Sequence, residues 1–302
     1  MASTMLGTSD VPENYWKAAR LTGKIPFSAC QADPRISYCM YIPQAHYQVH
    51  PAGKNMPLVV NIRGSLRRAE TCRDSLIDLA DSKGVAILAP LFPGVIDGPN
   101  DSHGYKFLSA GSAPSRTRYD LILLSILDEV AVRWPGIEVS KVFLAGYSGG
   151  GQFALRFFYL HPEKLAGVSI GAPGTVTRLD GRIAWPWGLD GVEKYFAGGT
   201  VDFKTLAAVP HVQLLVGDDD VAEVNEGLWR VMPASTMGVE IPLPPGNLSN
   251  RLDAVSALHG EFEAIGIRSE LVVVPGVAHS SDKIAPDLIR WLERVVPEQV
   301  AT

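Results

Sequence analysis

Residues 142–151 read VFLAGYSGGG, an apolar run that closes on a glycine and is followed by Tyr147, Ser148 and three more glycines. Gly146-Tyr147-Ser148-Gly149-Gly150 fits G-x-S-x-G, and the next stretch, QFALRFFYL (152–160), carries apolar residues at helical spacing. A strand, a tight turn and a helix in immediate succession form the context in which this motif makes a nucleophile elbow. The residues beside the serine must be small, because the chain reverses within a few atoms. Such a turn lifts the hydroxyl out of the sheet, and the helix N-terminus behind it favours developing negative charge. The same glycines do not make a phosphate-binding loop. No Lys-Ser or Lys-Thr follows them, and the order G-x-G-x-x-G is not met.

Outward from the elbow, short apolar runs alternate with helical patterns. LVVNI (58–62), VAILAP (85–90), VFLAG (142–146), GVSIG (167–171), VQLLVG (212–217) and ELVVVPG (270–276) read as strands, most of them bounded by Gly or Pro. Near-continuous apolar character suits strands covered on both faces, as in a parallel sheet. Between and after them, 68–82, 119–132, 152–160, 248–265 and 282–295 show helical spacing, the last strongly amphipathic. The alternation predicts an α/β fold with crossover helices. Residues 36–42, shortly after Pro34, read as an added edge strand. Three stretches break the pattern: 92–116, 175–210 with Trp185, Pro186 and Trp187 close together, and 232–247. Loops this long in a compact domain are usually functional. The reading is one domain over 1–302, with 175–210 as a candidate lid segment.

Composition excludes several function classes. Lys and Arg number 27 against 32 Asp and Glu, a net charge of −5, which argues against a nucleic-acid surface. Hydrophobic residues make up 46% and charged residues 20%, a mix that supports a sizeable core and not a disordered chain. Cys30, Cys39 and Cys72 are too few and too irregularly spaced for a disulfide scaffold or a zinc site, so free thiols of a reducing compartment are expected. MASTMLGTSD has neither a basic n-region nor an apolar h-region, so a cytoplasmic protein is expected. The longest apolar run, LILLSIL (121–127), is far short of the roughly 20 residues that span a bilayer. His46 and His50 are four apart but lack helical context or a third ligand, so no metal site is expected.

A serine nucleophile needs a base, and the base an orienting acid. Of the histidines after Ser148, His161 opens a turn and reads as solvated, His211 precedes a strand and His259 sits on a helix. His279 alone falls in a loop just past the last strand, in VPGVAHSS, where catalytic loops collect in such sheets. Asp218, Asp219 and Asp220 follow the VQLLVG strand, and Asp220 is favoured as the acid with Asp219 second. No Gly and terminal Glu follow them in the spacing of a calcium loop. The oxyanion hole needs two backbone N–H donors, expected at Gly149 and at Ser65 of the NIRGSLRR turn. Arg63, Arg67 and Arg68 either face substrate or simply start a helix, and Trp185 and Trp187 suggest an aromatic substrate wall or a packing role.

Taken together, the strand–GYSGGG–helix segment, GDDD after a strand and PGVAH near the end resemble the α/β-hydrolase superfamily. AGYSGGGQFALRFFYLHPEKLAGVSIGAPG and RLDAVSALHGEFEAIGIRSELVVVPGVAH are similar to its esterase and polyhydroxybutyrate-depolymerase-like branch, over roughly residues 36 to 295. The resemblance implies a doubly wound, mostly parallel sheet with a small lid or cap insertion. It implies hydrolysis of a small-molecule ester, thioester, lactone or other acyl substrate, without a cofactor. Carried over, Ser148 is the nucleophile, Asp220 the acid and His279 the base, with the Ser65 and Gly149 amides as oxyanion donors. Where that branch usually has His-Gly, this chain has Arg63-Gly64, which bears on the Ser65 donor. Two other readings share these residues: a non-hydrolytic cyclase, acyltransferase or isomerase, and a non-catalytic binding protein on the same scaffold. Neither substrate identity nor oligomeric state is written in the motifs.

Overall fold

The computed structural model describes residues 11–16, 19, 21–47, 56–99, 101, 103–109, 116–197, 199–222 and 250–297. The irregular stretch expected at 232–247 and the start of the helix expected at 248–265 lie outside the described residues. Eight strands pair into one sheet: β1 (Gly23–Ala29), β2 (Ser37–Ile42), β3 (Leu58–Ile62), β4 (Ala86–Leu91), β5 (Val142–Tyr147), β6 (Leu165–Gly171), β7 (Val212–Gly217) and β8 (Ser269–Val274). Their order is β1-β2-β4-β3-β5-β6-β7-β8, with β1, β2 and β4 paired antiparallel and the remainder parallel.

The central strands are buried on both faces because side chains alternate between two cores. Leu58, Val60 and Ile62 of β3 enter the larger core, while Val59 joins the smaller one with Ile87 and Phe143. Helices α3 (Tyr119–Arg133), α4 (Gly149–Leu160) and α7 (Arg251–Ala264) supply the larger core through residues such as Leu123, Phe157 and Phe262. Helices α2 (Ile77–Lys83) and α8 (Ser281–Val295) close the other face with Leu79, Trp291 and Leu292. Two short helices, α5 (Val192–Tyr195) and α6 (Phe203–Ala207), lie within 175–210. No helix among the described residues is long and apolar enough to cross a membrane.

The structure differs from the sequence reading at two places on this scaffold. Residues 36–42 are not an edge: β2 lies between β1 and β4. The edge strand is β1, whose mostly exposed residues and Pro26 break any apolar run. Proline lacks the ladder donor and is tolerated at an edge, here beside a register shift between Ile25 and Ser28. The helix expected over 68–82 is two helices, α1 (Ala69–Asp74) and α2, parted at Ser75 and Leu76. The Ser75 hydroxyl donates back to the Cys72 carbonyl (3.1 Å), and Leu76 turns into the core.

Topology then places the site. From β3 the chain passes to β4 on one side and later to β5 on the other, so the carboxyl ends of β3 and β5 flank a crevice. Ligands in open α/β sheets bind at such a switch point. The Arg63–Ser65 turn follows β3, and the Ser148 turn follows β5.

Candidate active site

Ser148 sits between β5 and α4 at φ 57°, ψ −115°, a conformation non-glycine residues rarely adopt. Its amide donates to the Gly171 carbonyl (2.8 Å), and its carbonyl accepts from the Gln152 amide (3.1 Å), which holds the turn from both sides. The elbow also needs close backbone contact beneath it. A methyl group on Gly150 would overlap the Ile62 carbonyl of β3. Gly150→Ala is therefore expected to cost at or above the upper end of the about 1–3 kcal/mol typical of overpacking. Gly181→Ala, where a new methyl meets nothing within 4 Å, is the control, and denaturant midpoints of the two should differ clearly.

His279 reaches this turn from the loop after β8. Its Nε2 lies 3.0 Å from Ser148 Oγ, and its Nδ1–H donates to Asp220 Oδ2 at 2.7 Å. Hydrogen-bonded in this way, Nδ1 carries the proton and Nε2 is free to accept from the serine. Asp220 is buried and takes a second hydrogen bond from Arg251 Nη1 (3.1 Å) at the start of α7. Burial pushes its carboxyl pKa up, but the His279 and Arg251 contacts outweigh that and hold it below the usual carboxylate value. The other two aspartates do something else. Asp218 accepts from the Gly276 amide (2.6 Å) and braces the histidine loop, while the Asp219 side chain is exposed.

Gly217 lets the two loops meet: a methyl there would overlap the Val277 carbonyl. Across the crevice, a methyl on Gly149 would lie 3.4 Å from the Ser65 amide nitrogen, so the Ser65 turn runs close beside the residue that follows Ser148. A cavity of about 370 Å³ opens from Ser148 and His279 past Ser65 toward Cys72 and Leu288.

No family model matches the chain, and no curated protein matches it. Solved structures do. The chain is similar to a poly(3-hydroxybutyrate) depolymerase from Bordetella parapertussis (22% identity, TM-score 0.63), covering 87% of this chain and 86% of that one. It is similar to poly(aspartic acid) hydrolase-1 from Sphingomonas sp. KT-1 (19% identity, TM-score 0.62), over 84% and 92% respectively. It is also similar to a fluorophosphonate-binding serine hydrolase from Staphylococcus aureus (15%, TM-score 0.56), over 91% and 99%. The chain has the α/β-hydrolase fold.

On this α/β-hydrolase scaffold several sequence expectations need correction. Trp185 and Trp187 do not wall the cavity. Trp185 is 1% exposed and packs edge-on against Phe196 (5.1 Å) and over Arg156, and Trp187 is also buried. Apolar bulk in a short irregular stretch looks the same whether it lines a site or fills a core. No described residue of 175–210 lines the cavity; Thr175 and Pro186 instead take hydrogen bonds from buried Arg156 of α4. His161 is not solvated: it donates to buried Asp120 at 2.9 Å. His259 shares a hydrogen bond with Ser269 (2.8 Å), far from Ser148 in role.

Of the three arginines, only Arg63 lines the cavity. Arg67 donates to the carbonyls of Phe92 (2.8 Å) and Ser65 (3.3 Å), bracing the turn, and Arg68 is exposed. Among the described residues no group of three or more His, Cys, Asp and Glu is placed to hold a metal. His46 is buried, and His50 lies outside the described residues.

Three residues were missed in the sequence. Tyr147 stacks on the His279 ring (centroids 5.0 Å) with its hydroxyl 3.3 Å from Nδ1. As the unspecified position of G-x-S-x-G it carried no signal. Arg251 gives none either, since only folding brings it to Asp220. Lys106 lies behind Gly149, almost fully buried, with its Nζ 2.7 Å from His103 Nδ1. Burial, followed by Arg67, Arg156 and Arg251, pulls its pKa down to about 8.

Proposed function

We propose that the protein is a serine hydrolase that cleaves a small ester, thioester or lactone through Ser148, His279 and Asp220. The observation that carries this reading is the unbroken line from Ser148 Oγ to His279 Nε2 (3.0 Å) and from Nδ1 to Asp220 Oδ2 (2.7 Å). Fold neighbours named as a depolymerase and as hydrolases favour it, at identities that speak for the fold and not for a substrate.

In this reading Ser148 Oγ attacks the acyl carbon as its proton passes to His279 Nε2. Asp220 holds the imidazole orientation and stabilises the cation that forms. The Ser65 and Gly149 amides receive the oxyanion, and His279 returns the proton to the departing oxygen or sulfur. Water then repeats the sequence on the acyl-enzyme, so one solvent oxygen enters the acid product.

Two measurements test this. A fluorophosphonate probe should add to Ser148, located by peptide mass, and should not add to a heat-unfolded sample. Hydrolysis of short 4-nitrophenyl esters should proceed unchanged after dialysis against EDTA. Loss of turnover on chelation, restored by added metal, would point to a different chemistry. So would labelling at another residue.

A further inference from the structure

The cavity beside Ser148 holds a cation that the proposed hydrolysis does not use. Arg63 is the first residue after β3 and lines that cavity. Its guanidinium has five donors in a planar fork, and it lies against the thiol of Cys72, a weak acceptor. Arg35 is matched with Asp33, Arg118 with Asp120, Arg178 with Glu261, Arg182 with Asp180 and Arg251 with Asp220, while Arg67 and Arg156 donate to neutral oxygens away from this lining. Among the described residues Arg63 is the arginine that both lines the cavity and has no carboxylate partner.

The lining also carries Asp282, but that carboxylate sits in the first turn of α8 and accepts from the Ser281 hydroxyl (3.1 Å). A helix N-terminus compensates a negative charge there. Near Gly149, Lys106 and the neighbouring Arg67 and Arg156 add positive potential in a chain whose net charge is −5. The lining that Arg63 and Ser148 share is largely apolar, with Ile62, Leu66, Ile284, Ala285 and Leu288 among it.

Resting on the hydrolase reading, we propose that this cavity selects short esters bearing a free carboxylate, and that Arg63 is the residue that recognises it. A planar carboxylate takes two parallel N–H bonds from guanidinium, a pairing lysine does not reproduce. Apolar walls accommodate the few methylene groups between carboxylate and scissile carbonyl. The reaction stays the same: water adds across the acyl C–O bond and releases an acid and an alcohol.

The test compares charged and neutral probes of one shape. On the acyl side these are 4-nitrophenyl hemisuccinate and the same ester with its carboxylate methylated. On the alcohol side they are butanoyloxyacetate and its methyl ester. The wild-type kcat/KM should favour the charged member at least about tenfold in one pair, the scale of a charge-assisted hydrogen bond. Arg63→Met should cut that ratio about 10- to 100-fold, and Arg63→Lys should fall between. Asp282→Asn, which removes the carboxylate in the lining without touching the Arg63 turn, should raise the ratio and keeps the test open if Arg63→Met fails to fold. Equal rates within each pair, a ratio untouched by Arg63→Met, or a ratio lowered by Asp282→Asn would overturn the assignment and leave the hydrolase intact. No turnover of any probe, with no fluorophosphonate adduct at Ser148, would instead sink the hydrolase reading and this inference with it.

Discussion

Ser148→Ala is expected to lower kcat/KM by about four to six orders of magnitude while leaving the thermal midpoint unchanged. Members of such a constellation act as a unit, and removal of the nucleophile leaves only binding and the oxyanion donors. The fold has no reason to respond. Alanine keeps the same Cβ in the same turn, and the contacts that hold it there, to Gly171 and Gln152, come from the backbone. Ser148→Gly sharpens the point. Glycine accepts φ 57° without steric cost, so this variant should be as inactive but more stable, by about 1 kcal/mol. Activity and stability would thus move in opposite directions at one residue. Near-normal turnover by Ser148→Ala, on a substrate the wild type hydrolyses, would end the assignment.

Asp220→Asn carries the second large effect, a loss of about 10⁴ in kcat, because an amide no longer selects the imidazole tautomer that presents Nε2 to the serine. Here stability should fall as well. Asp220 is buried and also receives Arg251, and weakening a hydrogen bond to a charged group costs about 1–3 kcal/mol. Asp218→Asn should change little, since an amide oxygen can still accept from Gly276. Asp219→Asn should stay within about 0.5 kcal/mol, as expected at an exposed position. Kinetics and urea midpoints of the three variants decide among them. If Asp219→Asn proves the crippled one and Asp220→Asn stays active, the acid is the neighbouring residue.

What could be read from the chain depended on how local the signal was. The elbow is a strand, a turn and a helix within a dozen residues, and the need for small side chains writes itself into consecutive positions. Strands β3 to β7 were visible because burial on both faces leaves them mostly apolar, and β8, at the other edge, because SELVVV is mostly apolar although part-exposed. The edge strand β1 was not, because Pro26 and exposed neighbours make it look like a loop. Choosing among three adjacent aspartates required a rule about where a turn aims its side chains. Arg251 was beyond reach, since it meets Asp220 across 31 positions of sequence. The tryptophans misled for a different reason: hydrophobicity reports that a side chain avoids water, not what it finds instead.

The contact of Gly217 with the Val277 carbonyl has a consequence for how such a protein can change over generations. Any single-base change in a glycine codon yields another glycine codon, a stop, or a residue with a side chain. At Gly217 every such side chain would collide with the backbone of the loop that carries His279. The junction between β7, which leads into Asp220, and the loop bearing His279 is therefore closed to stepwise exploration. The wall formed by Arg63, Leu66 and the first turns of α8 meets no such barrier. Drift in this lineage should accordingly accumulate in what the cavity accepts, while the machinery beside it stays frozen.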